Sequence, residues 1–138
     1  MFKRILVPVD LTDKSARAIA VALELAQYDN GAITLLHVIE TLDVPFEQLS
    51  DFYGELETKA RGVLDTLSEP LRKNGVTFEE RICYGKRAPE IVSFADENEY
   101  DLIVLTSHRL DPEHPEGSFM TISHQVAIAT DVTALLLK

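Results

Sequence analysis

Cations, cysteines and long apolar runs are all scarce in this chain of 138 residues. It carries 13 Lys and Arg against 23 Asp and Glu, a formal net charge of -10. It therefore lacks the broad positive surface that draws a protein to nucleic acid or to anionic lipid. Its one cysteine, Cys83, cannot form an internal disulfide, which fits a reducing compartment. A catalytic thiolate would need a histidine or cation beside it, and only Arg81 and Lys86 are close in sequence, so Cys83 reads as a small core residue. No stretch reaches transmembrane length, and the apolar run Ile5 to Val9 is too short for a signal peptide and is halted by Asp10. These absences predict a cytoplasmic protein with no membrane insertion and no nucleic-acid partner. A strained Gly-x-Ser-x-Gly elbow is missing too, and adjacent Ser107 and His108 would point to opposite sides of a strand, so nucleophilic hydrolysis is not expected.

What is present is enough apolar material, 46% of the residues, for one core and one domain over residues 1–138. Ile5 to Val9 is apolar almost throughout, as a strand covered on both faces should be, and it ends at Asp10. Ala16, Ile19, Ala20, Leu23 and Ala26 recur at helical spacing from Ser15 until Asp29-Asn-Gly31 supplies a turn. Ala32 to Ile39 is a second buried strand. A long helical pattern then runs from about Phe46 to Lys73, with Gly54 and Gly62 suggesting close packing or a bend. Val76 to Tyr84 alternates in hydropathy, which suits a sheet edge; Pro89 opens the next helix, and Asp101 to Leu105 is a fourth strand. A last helix begins near Thr121, and Val132 to Leu137 is the fifth strand. Strand and helix alternate five times, the pattern of an α/β doubly wound parallel sheet, which binds ligands at the carboxyl ends of its strands where the strand order reverses.

Four segments in order carry a likeness across essentially the whole chain: Ile5-Leu-Val-Pro-Val-Asp10, Leu36-His-Val38, Tyr84-Gly-Lys-Arg-Ala-Pro-Glu-Ile91 and Asp101-Leu-Ile-Val-Leu-Thr-Ser-His108. Together they resemble the universal stress protein family. The resemblance implies a Rossmann-like, adenine nucleotide alpha hydrolase-like sheet of five strands in the order 3-2-1-4-5, and a homodimer joined through the last strand. It also implies that a subset of members hold ATP. Members that bind nucleotide show Gly-x-x-Gly, nine residues, then Gly followed by Ser or Thr. By this likeness Thr106 and Arg109 stand at the first two glycine positions and Met120-Thr121 at the last pair, with ten residues between. Thr121 keeps the hydroxyl, and Ile122 follows it at the helix start. Pro8, Val9 and Val38 carry over as walls of an adenine pocket, with Asp10 beside the adenosine.

All three glycines of that cradle are replaced. Glycine serves there by adopting positive φ and admitting close approach of backbone to phosphate, and a bulkier residue in left-handed geometry costs about 1–2 kcal/mol. A steric loss of about 3 kcal/mol at Met120 would lower affinity by about two orders of magnitude. Asp111, Glu113 and Glu116 add repulsion toward a triphosphate unless a divalent ion intervenes. Against this, the Arg109 guanidinium could itself grip a phosphate, and Gly117-Ser118 could be re-registered as the glycine and hydroxyl pair.

Other residues have plainer readings beside their functional ones. Asp10 serves either as a cap or turn residue, with Asp13 as competitor, or as a ligand contact. Pro8 breaks the rule against proline in a central strand, and such exceptions gather at functional strand ends. His108, His114 and His124 with Asp111 and Glu113 could be assembled into a metal site, but their spacing is loose for zinc and Pro112 and Pro115 stiffen the loop, so no metal is expected. His37 reads as a packed strand residue. The apolar strand Val132–Leu137 at a sheet edge invites antiparallel pairing of two copies about a twofold axis. The expectation is a homodimeric binding or regulatory module of the stress response, with a degenerate nucleotide site that binds ATP weakly or not at all. Its rival is an ATP-binding nucleotide sensor or slow ATPase that uses Asp10, Arg109 and Thr121 around a magnesium-bound triphosphate. In a third reading, the loop Ser107–Met120 docks a protein partner.

Overall fold

The computed structural model describes residues 1–107 and 121–138. Five parallel strands, β1 (Arg4–Pro8), β2 (Ala32–Glu40), β3 (Phe78–Gly85), β4 (Leu102–Thr106) and β5 (Ala134–Leu137), lie in the order β3-β2-β1-β4-β5. The helices between them are α1 (Ser15–Asp29), α2 (Ser50–Leu67), α3 (Glu69–Lys73), α4 (Arg87–Glu97) and α5 (Ile122–Ala129). This is the doubly wound α/β fold that the alternation predicts.

Strand alternation divides the core in two. Ile5 and Val7 of β1, Ile33 and Leu35 of β2, and Leu102 and Val104 of β4 face one way, onto Ala18, Ile19, Ala22 and Ala26 of α1, Leu64 of α2 and Leu71 of α3. Leu6, Leu36, Val38, Ile103 and Leu105 face the other way, onto Ala88, Ile91 and Ala95 of α4 and Val126 of α5. Because both faces are covered, β1, β2 and β4 are mostly apolar, whereas β3 at the edge alternates between half-buried and exposed positions from Phe78 to Ile82 and stays half-buried to Gly85. A hydroxyl pair sealed in this core is satisfied internally: Tyr100 Oη donates to Thr34 Oγ1 at 2.7 Å.

Several boundaries differ from the sequence expectation. The helix expected over Phe46–Lys73 is a 3-10 turn, Phe46–Leu49, followed by α2 and then α3. Pro70 has no N–H to give the carbonyl four residues back, so the ladder breaks at Ser68, and the buried Ser68 hydroxyl turns to Asp65 O at 3.1 Å and Glu80 Oε1 at 2.8 Å. Gly54 and Gly62 are not packing sites, since a Cβ at either would meet nothing within 4 Å. Helix α4 opens at Arg87 rather than Pro89; the proline occupies the first turn, where its missing donor is not needed. Strand β5 starts two residues later than expected because Thr130 to Val132 form a turn on Asp96, whose Oδ1 accepts from Thr130 Oγ1 at 2.7 Å.

Candidate functional site

The chain leaves β1 toward β2 and β3 on one side, and returns to place β4 on the other, so the strand order reverses between β1 and β4. The β1–β2 ladder continues to Pro8 opposite Leu36, but the β1–β4 ladder stops at Leu6 opposite Ile103. Pro8 supplies the physical cause. Val9 N donates to Leu36 O at 2.8 Å and Asp101 N donates to Arg4 O at 3.0 Å, so backbone alternation turns position 8 toward β4. A proline there has no donor to offer, and the strands part at their carboxyl ends.

The opening is a cleft of about 730 Å³, including its mouth. Its apolar walls are Leu36 and Val38 from β2, Ile91 from α4 and Leu105 from β4; Pro8, Val9 and Asp10 line the β1 end. Lys14 and Ser15 border it from the loop into α1, Arg87 from the start of α4, and Thr106, Thr121, Ile122 and Ser123 add three hydroxyls at the side toward α5. The structure thus brings together Pro8, Val9, Asp10, Val38, Thr106, Thr121 and Ile122 of the residues singled out from sequence. Arg109 and Met120 lie outside the described residues, as do the Gly117-Ser118 alternative and all but Ser107 of the loop Ser107–Met120. Sequence reasoning missed Lys14, Ser15, Leu36, Arg87, Ile91, Leu105 and Ser123 as lining residues. Arg87 and Ile91 sit within the Tyr84–Ile91 segment that carried the family likeness, a signal that was available, whereas Lys14 reaches the cleft only through the shape of its loop.

That loop is built around Asp10. Its Oδ1 accepts from Thr12 N at 3.0 Å, from Thr12 Oγ1 at 2.6 Å and from Ser15 Oγ at 3.2 Å, an Asx turn. The next residue, Leu11, has φ of 67°, a left-handed geometry that branched side chains avoid, held by packing of its side chain against the α1 core. Partial burial would raise the Asp10 pKa, but the bonds from Thr12 and Ser15 outweigh it and hold the carboxyl below the ordinary aspartate range. Thr106 Oγ1 donates to Lys14 O at 3.2 Å, tying the end of β4 to the same loop.

On the far side Thr121 is the N-cap of α5: its Oγ1 accepts from His124 N at 3.4 Å and lies 2.5 Å from His124 Nδ1 and 3.3 Å from Ser123 Oγ. The amino end of α5 borders the cleft and presents positive dipole to it. At the rim Arg87 pairs with Glu40 at 3.2 Å, an exposed pair of small energetic weight. His37, half-buried in β2, places Nδ1 2.9 Å from Val9 O, the packed strand role expected of it. Burial and Glu90 raise the Cys83 thiol, against a smaller opposing pull from Arg81, so it has none of the lowered pKa of a reactive cysteine. Among the described residues no three His, Cys, Asp or Glu side chains gather as metal ligands, and of the histidine set imagined from sequence only His124 is described. Among the described residues, no helix is long and apolar enough to cross a membrane.

A crevice at the switch point of a doubly wound parallel sheet, apolar inside and rimmed by hydroxyls, a lysine and a helix amino end, places the chain in the class of Rossmann-like α/β proteins. The model of the universal stress protein family matches residues 1–136, and the chain belongs to that family. It is 26% identical to the universal stress protein YxiE of Bacillus subtilis (strain 168) over the full length of both chains. It is also 26% identical to the universal stress protein MJ0531 of Methanocaldococcus jannaschii over 109 residues, 76% of this chain and 64% of that one. Among solved structures the hypothetical protein MJ0577 superposes with a TM-score of 0.83 at 21% identity, covering 100% of this chain and 96% of that one. A universal stress protein in complex with cAMP gives 0.77 at 20% identity, covering 99% and 97%. The universal stress protein of Archaeoglobus fulgidus in complex with dAMP gives 0.73 at 20%, covering 99% and 98%. At these identities the structural likeness speaks for the fold, and the family match supports a role in the stress response.

Proposed function

We propose that the chain is a cytoplasmic, homodimeric binding or regulatory module of the stress response, one domain over residues 1–138. In this reading its cleft takes an adenine nucleotide by the base and sugar and holds ATP weakly or not at all. The observation that carries this is the make-up of the cleft. Leu36, Val38, Ile91 and Leu105 offer apolar walls to a purine, while the polar groups a metal-bound triphosphate would need are already engaged: Asp10 by Thr12 and Ser15, and Thr121 by His124. Lys14 and the amino end of α5 offer charge enough for a single phosphate. The complexes of two structural relatives with cAMP and dAMP support a mononucleotide as ligand. Replacement of all three cradle glycines, by Thr106, Arg109 and Met120, argues in the same direction.

The partner copy in this reading joins through β5, an edge strand with half-exposed leucines and one unpaired side. Calorimetric titration with AMP, cAMP and ATP, the last with and without magnesium, tests the assignment. Tighter binding of AMP or cAMP than of ATP, with ATP saturating only at millimolar levels, is expected. Micromolar ATP affinity that depends on magnesium would overturn it and favour the sensor or slow ATPase.

A further inference from the structure

Half of the large hydrophobic side chains that the described residues leave exposed fall in one short segment. Leu42, Val44, Phe46 and Phe52 are 57%, 45%, 48% and 45% exposed; the others, Met1, Tyr28, Ile128 and Leu135, are scattered. A contiguous apolar patch on an otherwise charged surface marks an interaction site, whereas single exposed residues do not. The aromatic part of this patch is packed on a buried ring. Tyr53 is fully buried beneath it and accepts a hydrogen bond from Leu42 N at 2.9 Å. The Phe46 ring stacks on Tyr53 with centroids 5.0 Å apart and meets the edge of Tyr84 at 5.6 Å; Phe52 lies 5.6 Å from Tyr53. With Tyr53 filling the space below, Phe46 cannot withdraw its outer face from water.

Along the segment itself charge has one sign, and cations stand only at its borders: Lys59 one turn beyond Glu55, Arg61 paired with Glu57 and Arg87 paired with Glu40. Asp43, Glu47, Asp51 and Glu55 follow at intervals of four residues, all exposed, and between Glu40 and Lys59 there is no Lys or Arg. Among the described residues none of these four pairs with a cation. Asp51 and Glu55, one turn apart on α2, repel each other. An apolar strip flanked by an excess of carboxylates is complementary to a helix with an apolar face bordered by Lys and Arg.

We propose that the surface of Leu42, Val44, Phe46 and Phe52, with its row of carboxylates, docks a basic amphipathic helix of a partner protein. A second copy of this chain does not fit, because twofold contact would set the carboxylate row against its own image. An anionic membrane is repelled by the same row. The patch lies at the β2–β3 side of the sheet, away from β5, so this docking is independent of the nucleotide reading and compatible with a dimer paired through β5. Two copies would then present two docking sites and bind a divalent partner with avidity.

The test uses a fluorescein-labelled helical peptide of 18 residues with leucines on one face and lysines and arginines on both flanks, followed by anisotropy on the full chain. Binding should weaken as salt rises. The double variant Glu47→Lys, Asp51→Lys should lose about tenfold or more in affinity, as should Leu42→Ser, Phe52→Ser. Reversing two exposed carboxylates elsewhere, Glu24→Lys with Glu97→Lys, should change affinity by less than about twofold, since it alters net charge equally but not the patch. Circular dichroism melts verify that each variant is folded. Absence of binding would overturn the proposal. Equal binding of a peptide of the same composition in scrambled order would do so as well, as would equal weakening by the control reversal.

Discussion

Asp10 shows at the level of one side chain how structure resolves what residue type leaves open. A carboxylate at the end of a first strand suits a helix cap, a turn or a ligand contact; the three bonds it accepts from Thr12 and Ser15 build the turn that shapes the cleft, and the carboxylate lines that cleft. Those bonds favour the ionised form, so the folded state binds its proton less readily than the unfolded chain. The stabilisation is complete above the ordinary aspartate range, about pH 4, and fades as pH falls through the lowered folded value. Asp10→Asn should therefore flatten the acid limb of a plot of Tm against pH, and an unchanged limb would contradict this account. Tyr100→Phe should cost about 1 kcal/mol, roughly 4 °C in Tm by calorimetry, because it removes the buried donor to Thr34 Oγ1. Thr34 keeps its 3.3 Å bond to Glu79, which limits the loss.

Elements were legible where hydropathy had a period, and blurred where backbone chemistry broke it. Helix α1 begins and ends where the spacing from Ser15 and the Asp29-Asn-Gly31 turn place it, its stop made by Asn30 at φ of 53°. Across Phe46–Lys73 the apolar period runs on through Pro70, so periodicity alone sees one helix where the backbone makes a 3-10 turn and two helices. The two glycines of α2 invite a packing explanation that their surroundings do not support. Because a methyl at Gly54 or Gly62 meets open space on a helical backbone, Gly54→Ala and Gly62→Ala should each stabilise by roughly 0.8 kcal/mol, about 3 °C in thermal unfolding. Gly31→Ala should do the opposite and lower Tm, since its Cβ would stand 2.6 Å from Phe2 O.

For the molecule as a whole, net charge and the open β5 edge pull in different directions. A surface of net charge -10 resists self-association at low salt, while Leu135, exposed on an unpaired edge strand, favours it. The proposed dimer should tighten as ionic strength rises and screens the repulsion, and Leu135→Lys should shift sedimentation toward the monomer. A mass that stays dimeric in that variant would move the interface away from β5. Salt thus separates the two associations: the β5 pairing strengthens with it, and capture of a basic helix at Phe46 and Phe52 weakens.

The order of residues along the chain was enough to determine five strands with helical segments between them, a sheet covered on both faces and the family, because these depend on local hydropathy period and on motifs read in order. The break of the Phe46–Lys73 segment into a turn and two helices was not among them. Tertiary structure alone decided that Lys14, Arg87, Ile91 and Ser123 share a cleft with Pro8 and Thr121, since they come from segments brought together only by the crossovers. It also decided that Phe46 stays half in water while Tyr53, seven residues on, is buried. Both are aromatic and lie in one apolar pattern, and only the packing of β3 and α2 around Tyr53 chooses which of them is covered.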